Sequence, residues 1–228
     1  MNIILEPDEK SGKILLEKNI THIKEVLKKG PGETIKIGFI NGPISLVKII
    51  DDNFHFQILE RTTAKKSNIR LLVALSRPQT MKKIIEHGTT MGVCEFIFYH
   101  AHLSEKSYET SKVLEPQEYQ DLMSLGLAQA GIYTQLPTLK VIKKIHEIPT
   151  FKGEKFLLSL RENNKLPSLI SNTDTITLAI GPERGFIPSE EELFIEKGFK
   201  PVKISESILR VEHAAFSSIA QLDFLRMS

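Results

Sequence analysis

Residues 175–194 read TITLAIGPERGFIPSEEELF, and residues 207–216 read SILRVEHAAF. TITLAI is apolar and rich in β-branched side chains, the composition of a strand buried on both faces of a parallel sheet. Gly181-Pro182 ends that strand, and Gly185 gives a second position where backbone can approach another group closely. Ile187-Pro188-Ser189-Glu190-Glu191-Glu192 then predicts a helix start, with Ser189 as N-cap and Glu192 completing a capping box. Gly198, after Lys197, closes that helix. In the second stretch Arg210 and Glu212 flank the start of another helix, with Ala214 and Ala215 small enough behind them for close packing. Either the turn after Ile180 holds a ligand or it simply turns.

Ligands of open α/β sheets sit outside the carboxyl ends of strands, and Gly181 and Ser205 both fall at such ends. A phosphate is not the expected ligand. An anion site needs an open helix N-terminus, and glutamates already face the positive end of this helix dipole. The spacing G-x-x-x-G also departs from the dinucleotide fingerprint. A neutral or cationic ligand fits better.

Outward from this turn, LLVAL (71–75), FIFYH (96–100), KFLLSL (155–160) and PVKIS (201–205) read as further short strands. Helices are predicted at 80–91, 116–130, 189–197 and 212–226. The alternation implies a mainly parallel sheet covered by helices. Residues 1–67 read differently. TIKIGFI (34–40) and PISLVKII (43–50) flank Asn41-Gly42, a two-residue hairpin signal. FHFQILE (54–60) follows, and one amphipathic helix spans Thr21–Lys29 with Ile23, Val26 and Leu27 on one face. Strands with one short helix suggest a small barrel, joined by the polar stretch Thr62–Asn68 to an α/β domain. Two domains are therefore expected, 1–67 and 68–228.

Composition narrows the function classes. The chain has 228 residues, 41% hydrophobic and 25% charged, ordinary for a globular protein. It has no apolar run of membrane-spanning length, and MNIILEPDEK lacks a secretory layout, so a cytoplasmic protein is expected. Cys94 is the single cysteine; it lies in apolar CEFIFY and reads as a buried, inert thiol. His100 and His102 have strand spacing but no third ligand nearby, so no metal is expected. A net charge of +2 provides no global field, so a nucleic acid must be held by a local patch. Residues 1–67, with 11 Lys+Arg against 9 Asp+Glu, carry only a weak footprint of that kind.

GPERGF followed by ISESILRVEHAA resembles the end of the RsmE-type ribosomal RNA uridine-N3 methyltransferases of the SPOUT superfamily, which show GPEGGF and then ILRTETAA. LVALSRPQTMKKIIEHGTTMGV (72–93), SEKS (104–107) and LAQAG (127–131) resemble other family segments more weakly. The resemblance implies an α/β, SPOUT-type C-terminal domain threaded into a deep trefoil knot and preceded by a PUA-like β-barrel that binds RNA. It implies S-adenosylmethionine as methyl donor, small-subunit ribosomal RNA as partner, and a homodimer formed about the knot with help from the last helix. By this mapping Leu158, Ser159, Ile180, Gly181, Pro182, Glu183 and Gly185 hold the donor together with Ile204, Ser205, Ile208 and Leu209. Arg210 and Glu212 are the catalytic pair. N3 of uridine becomes nucleophilic once its proton is lost, and a site must hold it in line and stabilise charge on O2 or O4. Arg210 is the candidate stabiliser. Glu212 either orients Arg210, the favoured reading, or accepts the proton. Arg77, Lys106, Gln129 and Arg184 are the implied RNA contacts.

The chain departs from the family pattern in several places. Arg184 replaces a glycine, Val211 and His213 replace threonines, and Ala128 and Ile132 replace a glutamate and an arginine. K-G-D-K becomes Arg77-Pro78-Gln79-Thr80. His213 is a candidate base by residue type alone. Most departures touch groups that would meet RNA, which marks a divergent member. The alternatives are an RNA- or ribosome-binding protein with a vestigial donor pocket, and a small-molecule α/β enzyme.

Overall fold

The computed structural model describes residues 3–161, 163–166 and 175–226. The chain forms two compact units, Met1–Lys66 with Ser124–Leu136, and Ser67–Met123 with Pro137–Ser228.

The first unit holds β1 (Ile4–Glu6), α1 (Glu17–Glu25), β2 (Thr34–Phe39), β3 (Ile44–Ile49) and β4 (Phe56–Thr62), with its strands in the order β1-β2-β3-β4. β1 runs parallel to β2, and the other pairs are antiparallel. Ile4, Ile14, Ile23, Ile37 and Val47 fill the core with Phe39 and Phe56. The helix begins four residues earlier than its apolar pattern suggested. Glu6 is fully buried, accepts the Leu15 N–H at 2.8 Å and the Asn19 side-chain amide at 2.7 Å, and so pins the helix start. Lys28 at φ 54° turns the chain away soon after the helix ends, which leaves Val26 and Leu27 exposed rather than packed. The hairpin connection is also longer than two residues. Gly38 pairs with Ile44 and the Phe39 N–H bonds the Pro43 carbonyl, so Ile40–Gly42 turns the chain with Asn41 at φ 59°.

The second unit contains β5 (Ile69–Ala74), α2 (Pro78–Thr90), β6 (Val93–Tyr99), β7 (Thr138–Ile142), β8 (Glu154–Leu158), β9 (Ile176–Ile180), α4 (Pro188–Glu196), β10 (Lys200–Val202) and α5 (Val211–Arg226); the division between units falls inside α3 (Pro116–Ala130). Its six strands are all parallel, in the order β10-β8-β9-β5-β6-β7. β9 lies between β8 and β5 with all five residues buried, as its composition predicted. β7 was not foreseen, because it is an edge strand without a continuous apolar face. β8 and β10 stop at Leu158 and Val202, short of the expected 160 and 205, which releases Ser159–Arg161 and 203–210 as loops. Away from those loops Arg70 ties the sheet together. It ion-pairs with Glu95, donates to Thr177 Oγ1 at 3.1 Å and stacks over Phe151, while Lys140 reaches Glu95 at 2.8 Å. Among the described residues, no helix is long and apolar enough to cross a membrane.

Candidate active site

The loops leaving β8, β9 and β10 surround a cleft of about 620 Å³, within the usual range for small-molecule sites. Leu158 and Ser159 line it from β8, Ile180–Gly185 from β9, and Ile204, Ser205, Ile208 and Leu209 from the loop before α5. Arg77, Arg184, Arg210 and Glu212 line the same cleft. Lys106, in a 3₁₀ turn after β6, and Gln129, on α3, are exposed and do not line it.

The turn after β9 is built from beneath. A Cβ on Gly181 would meet the Phe186 ring at 2.8 Å, so this glycine makes room for an aromatic side chain of its own loop. Gly185 has open space around it, but its φ of +79° favours glycine; its N–H closes the turn on the Pro182 carbonyl at 2.8 Å. Phe186 packs edge-on against Phe194, which in turn meets Tyr99. Tyr99 is fully buried and donates its hydroxyl to the Ile180 carbonyl at 2.9 Å. Burial, reinforced by the Glu190 carboxylate, pushes this phenol well above its ordinary pKa, so it stays a donor.

The helix cap differs from the expected one. Pro188 occupies the first turn with its fixed φ, which moves the cap to Ile187 and makes Glu190 the residue that reaches back. Its Oε2 accepts the Ile187 N–H at 3.2 Å and its Oε1 accepts the His102 N–H at 2.7 Å. Ser189 and Glu192 are exposed. His100 lies 2.7 Å from Glu109, and among the described residues no group of three or more His, Cys, Asp or Glu could hold a metal.

Three glutamates, Glu183, Glu191 and Glu212, face the cleft, and each has a cation at 3.4 Å: Arg77, Arg161 and Lys83 respectively. The expected pairing of Glu212 with Arg210 is not what the structure shows. Glu212 is buried and its ion pair is with Lys83 on α2, whereas Arg210 is exposed. Among the described residues no carboxylate forms an ion pair with Arg210, and its carbonyl caps α5 by accepting the Ala214 N–H at 2.8 Å. Sequence reasoning also missed Glu191, which takes hydrogen bonds from Ser159 Oγ at 3.2 Å and Arg161 at 3.4 Å. It was read only as a helix-dipole charge. Two large apolar side chains, Leu160 at 48% and Ile208 at 85% exposure, complete the lining. Carboxylates, exposed apolar surface and loop backbone suit a ligand with a cationic centre and a flat apolar part.

An all-parallel α/β sheet with a small-molecule cleft across the ends of three neighbouring strands, bordered by arginines, defines the class of protein. The RNA methyltransferase domain model matches residues 63–223, and the chain belongs to that family. It is 28% identical to the ribosomal RNA small subunit methyltransferase E 1 of Borreliella burgdorferi, over 92% of this chain and 91% of that protein. Identity to the Treponema pallidum ribosomal RNA small subunit methyltransferase E is also 28%, over 96% and 90%. The crystal structure of the Neisseria gonorrhoeae ribosomal RNA small subunit methyltransferase E, bound to S-adenosyl methionine, superposes with a TM-score of 0.81 at 22% identity, over 99% of this chain and 98% of that one. These relatives bear out the resemblance to the RsmE-type, SPOUT-superfamily methyltransferases.

Proposed function

We propose that this protein transfers a methyl group from S-adenosylmethionine to N3 of a uridine in small-subunit ribosomal RNA. The observation that carries the reading is the cleft itself, where the 180–185 and 204–210 loops border one volume with Arg210 and Glu212 in its wall. The curated names of the relatives support the substrate, and the donor-bound relative supports the ligand.

When bound, the donor supplies an electrophilic methyl group on a sulfonium centre. Glu183, Glu191 and Glu212 give the cleft carboxylates that favour a cation over an anion. Ile208 and Leu160 offer apolar cover for a planar base; fully burying a side chain of this size is worth about 1.5–3 kcal/mol. Arg210, exposed and outside any ion pair among the described residues, is placed to stabilise negative charge developing on the uracil oxygens. Glu212, which lines the cleft and pairs with Lys83 rather than Arg210, is in this reading the proton acceptor from N3.

The remaining parts of the reading rest on the family. We read the second unit as threaded into a deep trefoil knot; that α5 follows the edge strand β10 in the chain yet packs on α2 and β9 supports this reading. We read the first unit as a PUA-like barrel that binds RNA, α5 as part of a homodimer interface, and the protein as cytoplasmic. Lys106 and Gln129 are RNA contacts in this reading, beside Arg77 and Arg184. Calorimetric titration with S-adenosylhomocysteine tests the donor site, and no binding near millimolar ligand would sink the enzyme reading in favour of an RNA-binding protein with a vestigial pocket. Mass spectrometry of ribosomal RNA from a deletion strain tests the product. Full retention of N3-methyluridine would remove the substrate assignment.

A further inference from the structure

The charged groups at the cleft are sorted by depth. In each of the three ion pairs the carboxylate is the more buried partner: Glu183 is 37% exposed against 71% for Arg77, Glu191 19% against 64% for Arg161, and Glu212 6% against 54% for Lys83. The carboxylates therefore lie deeper than the cations: Arg77 and Arg161 belong to the outer part of the cleft lining, and Lys83 lies outside it. At 3.4 Å the pairs are looser than good charge-assisted hydrogen bonds, which close to about 2.7–2.9 Å. A guanidinium carries five N–H donors and an ammonium three, so each cation keeps donors free for a second, outer acceptor.

We propose that Arg161 and Lys83 are RNA-phosphate contacts. With Arg77 they form an outer collar of cations at the C-terminal end of the sheet, and each bridges a cleft carboxylate to a backbone phosphate of the substrate. This deepens the proposed function and rests on it, since it names which groups bring the RNA to the cleft. It also explains how a cleft lined by three glutamates accepts a polyanion at its mouth. The inner carboxylates face the donor and the target base, and the outer cations shield the incoming phosphates from those carboxylates. Neither residue carried an RNA signal in the sequence, because both partners are remote: Glu212 lies 129 positions from Lys83 and Glu191 lies 30 from Arg161.

The test is the salt dependence of binding to unmodified small-subunit ribosomal RNA, purified from a deletion strain and measured between roughly 50 and 200 mM salt. Each lost phosphate contact lowers the slope of log K against log salt by about 0.7 to 0.9, and weakens low-salt binding by about threefold or more. Arg161→Gln and Lys83→Gln should each show that drop when RNA binding is measured with S-adenosylhomocysteine saturating, so that any change in donor affinity does not enter the slope. Lys83→Gln leaves a buried carboxylate without its cation, so Lys83→Arg is measured beside it and should restore the slope. Lys200→Gln is the control. Lys200 is 52% exposed and pairs with Glu154 at 2.9 Å near the opposite end of the strands, so its removal changes charge equally away from the cleft. A wild type that methylates the RNA while Arg161→Gln and Lys83→Gln keep its slope overturns the collar alone. An equal drop in Lys200→Gln overturns it too, as a net-charge effect. A wild type that neither binds nor methylates overturns the function on which the collar rests.

Discussion

Gly181→Ala tests whether the turn after β9 is built from beneath. The added Cβ would sit 2.8, 2.9 and 3.2 Å from three carbons of the Phe186 ring. Carbon atoms prefer about 3.5–4.0 Å, so the ring must retreat by about 0.7 Å. Away from the cleft it is blocked. Its 5.4 Å edge-on contact is with Phe194, which is fully buried and in contact with Phe199 and Tyr99. Gly181 lies outside the left-handed region, so the penalty is packing alone. Overpacking of this kind costs about 1–3 kcal/mol, and at this chain length each kcal/mol lowers Tm by roughly 2–4 °C. Thermal unfolding should therefore show a fall of a few degrees to about ten, with weaker S-adenosylhomocysteine binding by calorimetry because the loop shifts. Phe186→Leu in the same background should recover much of the loss, with a coupling of about 1 kcal/mol or more in the double-mutant cycle. Additive effects, or an unchanged Tm in Gly181→Ala, would show that Phe186 does not set the identity of residue 181.

Tyr99→Phe keeps the ring and removes the hydroxyl that donates to the Ile180 carbonyl, so stability should fall by about 1 kcal/mol and donor affinity with it; unchanged affinity would separate Tyr99 from the loop. Arg210→Gln should lower kcat by about 100-fold and leave S-adenosylhomocysteine affinity near wild type; a loss confined to donor binding would move Arg210 out of the base pocket. Glu95→Gln should alter acid stability. Burial raises the Glu95 pKa, but hydrogen bonds and charges from Lys140 and Arg70 outweigh it and hold the carboxyl below its ordinary value. Its stabilisation is present above the unfolded carboxylate pKa and disappears as pH falls through the folded one. The stability gap between wild type and Glu95→Gln should close below about pH 4, and a gap that persists at lower pH would contradict this role.

What could be read from the sequence was local. The apolar run Ile176–Ile180 and the turn residues after it placed the cleft, because a buried central strand and a glycine turn leave strong one-dimensional signatures. The cap was misplaced because Ser189 carries the usual N-cap signal while Pro188 sets the backbone one step earlier. Helix α1 was shifted because Val26 and Leu27 continue an apolar pattern that the chain abandons at Lys28. Partners of charged groups were not legible. Lys83 and Glu212, or Glu190 and His102, meet only through the sheet order, and nothing in either neighbourhood announces the other. For the same reason the sequence paired Glu212 with its neighbour Arg210, whereas the fold gives it Lys83.

The central claim is the reaction, and it can be tested in one tube. The purified protein, methyl-labelled S-adenosylmethionine and small-subunit ribosomal RNA from a deletion strain are incubated, and the digested nucleosides are resolved by mass spectrometry. The account predicts label in N3-methyluridine and its loss in Arg210→Gln. Label on another nucleoside, or none with S-adenosylhomocysteine binding intact, would contradict it.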